Sequence, residues 1–211
     1  MPELVVLLDE DGRAIGTAPK TAVHHRDTPL HLAFSCYAID AAGRVLLARR
    51  AESKATWPGV WSNSCCGHPQ PDEPLVRAVR RRLADELGIG EASVDAILPR
   101  FRYRAAMPSG VIEYEVCPVF RATLAAGVAP WPNPDEVAET AWVPLTALAA
   151  RPESDISPWC AAQVPELLAL GDDPRAWPAA RPADLPFGGD PAYPCSCGTK
   201  GLNTSAKRTG D

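Results

Sequence analysis

Apolar residues in this chain come in short blocks separated by turn residues, and the spacing within each block predicts its element. ELVVLLD (3–9) reads as a strand closed by Asp11-Gly12. HLAFSCYAID (31–40) and RVLLARR (44–50) read as two strands around Ala42-Gly43. TWPGVWSNS (56–64) is extended or looped, punctuated by Pro58-Gly59. RFRYRA (100–105) and GVIEYEVCPVF (110–120) alternate like a strand pair joined at Pro108-Ser109-Gly110, and ETAWVPL (139–145) is a further strand. Helical spacing occurs in EPLVRAVRRRLADELG (73–88), with Pro74 in its first turn and Gly88 as its stop, and in SPWCAAQVPELLAL (157–170), which carries Pro165. Strands and helices mix without strict βαβ order, so the expected class is α+β, a mixed sheet with helices packed on it. From 172 the composition turns to Pro, Gly, Ala and Ser without period. The expected organisation is one domain over 1–171 and an irregular, compositionally disordered tail over 172–211.

Helix 73–88 carries a misplaced charge. Advancing about 100° per residue from Arg82, Leu75, Val79, Leu83 and Leu87 form one apolar arc, and Glu86 falls at about 40°, inside it. Arg77, Arg81 and Asp85 fall on the opposite side and read as solvated charges. Arg82 and Glu86 are one turn apart, which fits either a pair at the rim of the core or a pair facing a cleft. A carboxylate among apolar neighbours needs a cation or hydrogen bonds to satisfy it.

Glu113 and Glu115 are separated by one residue, so a strand puts them on one face. That face is either solvated or, since both faces of the segment are largely apolar, buried and suited to metal binding or proton transfer. The chain has four histidines, His24, His25, His31 and His68, three of them near element boundaries. A set of imidazoles and carboxylates suits Mn²⁺, Mg²⁺ or Zn²⁺.

A net charge of −5 argues against a general nucleic-acid binder. No apolar run is long enough to span a bilayer, and the N-terminus lacks the basic leader of a signal peptide. The seven scattered cysteines then read as reduced thiols, and the expected location is cytoplasmic.

Three segments, "TWPGVWSNSCCGHP", "FRYRAAMPSGVIEYEVCPVF" and "LHLAFSCYAI", resemble type I isopentenyl-diphosphate isomerases, and the resemblance runs from about Lys20 to about Trp159. It implies a Nudix-like fold, a mixed sheet between helices. It also implies interconversion of isopentenyl and dimethylallyl diphosphate by protonation and deprotonation. Position by position, it makes Cys66 the catalytic thiol and Glu115 the catalytic carboxylate. Tyr103 assists proton delivery and Trp159 faces the charged intermediate. It gives His24, His31, His68, Glu113 and Glu115 to a divalent metal, and Glu86 to a Mg²⁺ that arrives with the diphosphate. Lys20, Arg50, Lys54 and Arg82 become the diphosphate cations. The implied partner is a small isoprenoid diphosphate, with no nucleic acid or membrane.

Two rival readings follow from the same residues. Gly67, Glu73, Arg81, Glu86 and Gly88 fit the spacing of a Nudix hydrolase helix, but Arg82 and Asp85 stand where that pattern has glutamates. A non-catalytic metal-binding or interaction protein would draw on Cys195, Cys197 and the basic end at Lys200, Lys207 and Arg208.

Overall fold

A computed structural model describes residues 3–186. The first half of the chain forms β1 (Leu4–Leu8), β2 (Ala14–Pro19), the single turn α1 (Lys20–Val23), β3 (His31–Leu32), β4 (Phe34–Ile39), β5 (Val45–Arg50), β6 (Trp61–Ser62) and β7 (Cys65–Gly67). Then follow α2 (Leu75–Leu87), β8 (Ser93–Leu98), β9 (Arg102–Ala106), β10 (Ile112–Val116), β11 (Val119–Thr123), β12 (Val137–Val143), α3 (Leu145–Ala149) and α4 (Pro158–Ala169). The strands make two mixed sheets. One has the order β2-β1-β3-β10-β9; the other has β12-β5-β4-β11-β8, with β6 on β5 and β7 on β4.

The α+β class holds, and the mixed β-structure is divided in two because two runs that read as single strands each change sheet. Residues 31–40 break at Ala33, and residues 110–120 break at Cys117-Pro118. Pro118 has no N–H to give a ladder. The breaks lie side by side, with the Ala33 N–H donating to the Val116 carbonyl at 2.9 Å and the Ser35 N–H to the Pro118 carbonyl at 3.1 Å. Before the breaks β3 and β10 are parallel neighbours in the first sheet; after them β4 and β11 are parallel neighbours in the second.

Strand β4 is buried throughout, which explains its unbroken apolar run. Phe34, Cys36 and Ala38 face a core built with Leu75, Ala78, Val79, Leu83 and Leu87 of α2. Tyr37 and Ile39 face a second core with Trp159, Cys160 and Leu167 of α4. The second sheet is thus covered by a helix on each face. Helix α2 stops at Gly88, whose left-handed φ of 65° lets its N–H return to the Ala84 carbonyl. Ser157 caps α4 by accepting from the Cys160 N–H at 3.4 Å, with Pro158 in the first turn.

Strand β2, turn α1 and strand β8 were not legible in the apolar pattern. The β2 stretch AIGTAP alternates half-buried and exposed positions at a sheet edge, so no apolar face marks it.

The boundary expected at 171 is also corrected. Packed chain continues beyond it, and Trp177 is only 2% exposed. Arg121 donates to the carbonyls of Pro174, Arg175 and Trp177 at 3.3, 2.8 and 2.8 Å, and pairs with Asp95 at 2.9 Å. A proline-rich stretch satisfies its carbonyls here through a buried guanidinium rather than a ladder. Composition cannot reveal such a partner, because it is more than 50 residues away in sequence. Cys195, Cys197, Lys200, Lys207 and Arg208 lie outside the described residues.

Trp177→Ala is therefore expected to cost about 3–5 kcal/mol of stability, the usual cost of emptying a buried aromatic site. A denaturant melt checks it; a chain unpacked after 172 would show no change.

Candidate active site

One cavity of about 490 Å³ gathers most of the residues singled out in the sequence. Cys66, Tyr103, Glu113, Glu115 and Trp159 line it, as do His24 and His68. So do Lys20, Arg50, Lys54, Arg82 and Glu86. His31 lies behind this wall, fully buried, against Glu115. The volume suits a small phosphorylated metabolite.

The two sheets contribute different chemistry. Glu113 and Glu115 point from β10 of the first sheet. Glu115 stands beside His31 in the parallel register and opposite Tyr103 in the antiparallel one. Cys66 belongs to β7 of the second sheet, paired with Ser35. Gly67 follows it because a side chain there would meet Arg82 Cγ at 2.9 Å and the Phe34 ring at 3.1 Å. His25 turns away, its Nδ1 accepting from the Asp27 N–H at 3.1 Å at an exposed position.

Three imidazoles converge on one carboxylate oxygen. The Nε2 atoms of His24, His31 and His68 lie 3.8, 3.4 and 3.3 Å from Glu115 Oε1. The His31 Nδ1–H donates to the Pro29 carbonyl at 2.9 Å, so a neutral ring turns the Nε2 lone pair toward Glu115. Lone pair then faces lone pair. Nε2 of His24 and of His31 are buried without a hydrogen-bond partner. Burying such groups is unfavourable unless a cation lies among them, so this donor set fits a divalent metal. One ligand atom from each of His24, His31, His68 and Glu115 lies within 4.8 Å of the others. Glu113, expected as a fifth ligand, is outside this set. Its Oε2 instead accepts from the Tyr103 hydroxyl at 2.7 Å, and the same hydroxyl donates to Glu115 Oε2 at 2.9 Å.

The shared tyrosine proton divides the two carboxyls. Burial alone would raise Glu115, but the three imidazoles gathered around it hold it well below the usual carboxylate range. Burial and the charge of Glu115 raise Glu113. Burial pulls His68 down to about 4 and pushes the Cys66 thiol up to about 12, the latter against hydrogen bonds with Ser35 and Asn63.

The cationic end is internally paired. Arg82 donates to Glu86 Oε1 at 2.6 and 2.9 Å, and both residues are under 10% exposed. The Arg82–Glu86 pair thus lies in the cleft rather than at a solvated rim. Glu136, not anticipated, bonds Lys54 and lies 3.3 Å from Arg82. Glu3 pairs with Lys20 at 3.0 Å. Burial pushes the Lys54 ammonium down to about 8. Arg50 lines the cavity but engages the Thr56 and Trp57 carbonyls through Nε and Nη2, and its guanidinium lies 5.6 Å from the Trp159 ring centroid. It thereby braces Trp57, a buried residue held at φ 42°.

Arg81 requires correction. It is no mere solvated charge: its fork grips both oxygens of Glu73 at 2.9 and 2.8 Å, and Nη2 reaches the His68 carbonyl at 3.2 Å. The helical wheel put it outside the apolar arc, and the loop 68–73 that folds back over that side of α2 leaves no trace in helical periodicity. Asn63 and Ser35, both buried beside Cys66, were also missed; short polar residues give no signal of their own.

Comparison with known proteins agrees with this geometry. Residues 29–162 match the NUDIX domain family. The chain is 54% identical to an isopentenyl-diphosphate Delta-isomerase of Saccharopolyspora erythraea, over 87% of this chain and 95% of that protein. It is 57% identical to one of Mycolicibacterium vanbaalenii, over 80% of this chain and 93% of that protein. A solved protein of Deinococcus radiodurans, 20% identical, aligns over 78% of this chain and 98% of its own with a TM-score of 0.59, a likeness of fold alone. With its thiol, paired carboxylates and three-histidine cluster set in a NUDIX domain, and at this level of identity to named isomerases, the chain belongs to the isopentenyl-diphosphate Delta-isomerase family.

Proposed function

We propose that this protein interconverts isopentenyl diphosphate and dimethylallyl diphosphate, moving a double bond by adding one proton and removing another. The observation that carries the reading is the meeting of Cys66 and Glu115, one from each sheet, on one cavity that Lys20, Lys54 and Arg82 also line.

An unactivated alkene is a weak base. Protonating its terminal methylene leaves a tertiary carbocation, and loss of a proton from the next methylene completes the shift. The site must supply an acid, a base and freedom from water. Cys66 and Glu115 take those two roles, exchanging them with the direction of the reaction. Tyr103, bonded to both carboxyls, relays the proton on the Glu115 side. Trp159, 2% exposed, presents a π-face toward developing positive charge. Lys20, Arg50, Lys54 and Arg82 hold the diphosphate and so place the five-carbon unit between thiol and carboxylate.

His24, His31, His68 and Glu115 would hold a divalent metal, with Mn²⁺, Mg²⁺ and Zn²⁺ all compatible with the donor set, and Glu113 stands next to it through Tyr103. When bound, that metal supplies the positive charge that keeps Glu115 ionised and in place. Glu86, beside Arg82, is the carboxylate for a Mg²⁺ carried by the diphosphate. The five described cysteines are free, which suits a reducing cytoplasm. Among the described residues no helix is long and apolar enough to cross a membrane, and the proposed partner is the small-molecule substrate alone.

Incubation with isopentenyl diphosphate and Mg²⁺ in D₂O, followed by NMR, is expected to yield deuterated allylic product. Cys66→Ala and Glu115→Gln should each lose at least about 10²–10⁴-fold in rate, the usual share of a proton-transferring group. Full activity in either variant overturns the assignment.

Elemental analysis should find a divalent metal in the purified protein and none in His31→Ala. Stripping it with a chelator is expected to lower the melting temperature by about 5–10 °C, since a tightly held ion stabilises only the folded state.

With nucleoside diphosphate derivatives, phosphate release should stay at background, because Arg82 occupies a position that hydrolytic metal clusters need for a carboxylate.

A further inference from the structure

Between β6 and β7 lies Asn63, 1% exposed and with no role in the chemistry described so far. Its orientation is unambiguous. Nδ2 donates to the Cys36 carbonyl at 3.1 Å and the Cys65 carbonyl at 2.8 Å, and since carbonyls only accept, the amide cannot be flipped. Oδ1 is thereby fixed as an acceptor on the opposite side. It receives the Trp159 indole N–H at 2.9 Å and the Cys66 thiol at 3.3 Å. The Ser62 hydroxyl also donates to this oxygen at 2.8 Å, with Ser157 Oγ 2.8 Å behind it, so indole, thiol and hydroxyl all converge on Oδ1.

Cys66 Sγ has a second neighbour, Ser35 Oγ at 3.5 Å. Ser35 accepts from Gln163 Nε2 at 2.9 Å, and Gln163 Oε1 accepts from the Tyr37 hydroxyl at 2.8 Å. The Ser35 proton is then free to reach Cys66 or Cys117, whose sulfur is 3.4 Å away. Ser35, Tyr37 and Gln163 are all fully buried. Trp159 and Gln163 sit one turn apart on α4, so a single helix face grips the sulfur's surroundings at two points.

We propose that Asn63 is a positioning residue that aims the Cys66 thiol and the Trp159 ring as one unit, with Ser35 and Gln163 as the second support. A thiol turns freely about its Cβ–Sγ bond, and an indole can rock about its χ angles. Tying both to one immobile oxygen sets where the proton-handling sulfur and the cation-facing ring stand relative to each other. The inference rests on the isomerase reading above.

The test joins a turnover assay to a readout independent of turnover. In ¹⁵N-labelled protein the six tryptophans give indole N–H signals, and Trp159→Phe assigns one of them. Asn63→Ala is expected to move that signal upfield as its hydrogen bond is lost. On isopentenyl diphosphate with Mg²⁺, Asn63→Ala should lower kcat by about 10²-fold with KM unchanged, because the diphosphate cations are untouched. Trp159→Phe keeps a ring and removes the N–H; it should lower kcat by about tenfold. The double variant should fall short of the product of the two losses, since the tie is broken once.

An unmoved resonance, an unchanged kcat or multiplying costs would overturn the proposal. Should Asn63→Ala fail to fold with its two backbone carbonyls unpaired, Trp159→Phe decides alone, and wild-type kcat in it refutes the tie. Absence of turnover in the wild type would sink the isomerase reading instead, while the resonance would still decide whether Asn63 holds Trp159.

Discussion

The site exists because two parallel strands change sheet at the same place. The Ala33 and Cys117-Pro118 breaks hydrogen-bond to each other, so β3 and β10 diverge together into β4 and β11. The glutamates of β10 lie before the break and Ser35, which holds the thiol strand β7, lies after it. Ala33 itself lines the cavity. Without the paired break a continuous ladder would carry Glu115 and Cys66 on one sheet, with no space between them for a substrate.

Into that space the fold places groups that are costly to bury singly. Glu115 is 5% exposed and His31 0%, and neither has a ladder or solvent to satisfy its side chain. Compensation is partial: Glu115 has His68 and the Tyr103 hydroxyl, His31 has the Pro29 carbonyl, and Tyr103 has two carboxyls. The unpartnered Nε2 atoms of His24 and His31, both turned toward Glu115, mark where positive charge is wanted. At the other end Arg82, Lys54 and Lys20 are each matched by a carboxylate, so the cations that would meet a diphosphate are ordered before it arrives.

Much of this was legible along the chain. The apolar arc of α2 placed Glu86 inside the core, and it is 7% exposed beside Arg82. The one-residue spacing of Glu113 and Glu115 on a strand put both on the face that meets Tyr103. Periodicity reports such things because a helix or strand repeats its geometry every few residues. It misread Arg81 as solvated, because its partners Glu73 and the His68 carbonyl come from a loop without a repeat. It also misjudged residues 172–186, where one buried arginine holds a stretch with no regular period.

By itself, then, the order of residues determined which side chains share a face, which positions must be buried, and which motif carries the thiol and its neighbouring histidine. Only the tertiary structure decided that the two strands switch sheets together and that the Tyr103 hydroxyl bridges Glu113 and Glu115. It also placed Asn63 between sulfur and indole. The reason is distance along the chain. Face and burial follow from local backbone repeats, whereas His31 and Glu115, or Asn63 and Trp159, are more than 80 residues apart and meet only when separate elements pack.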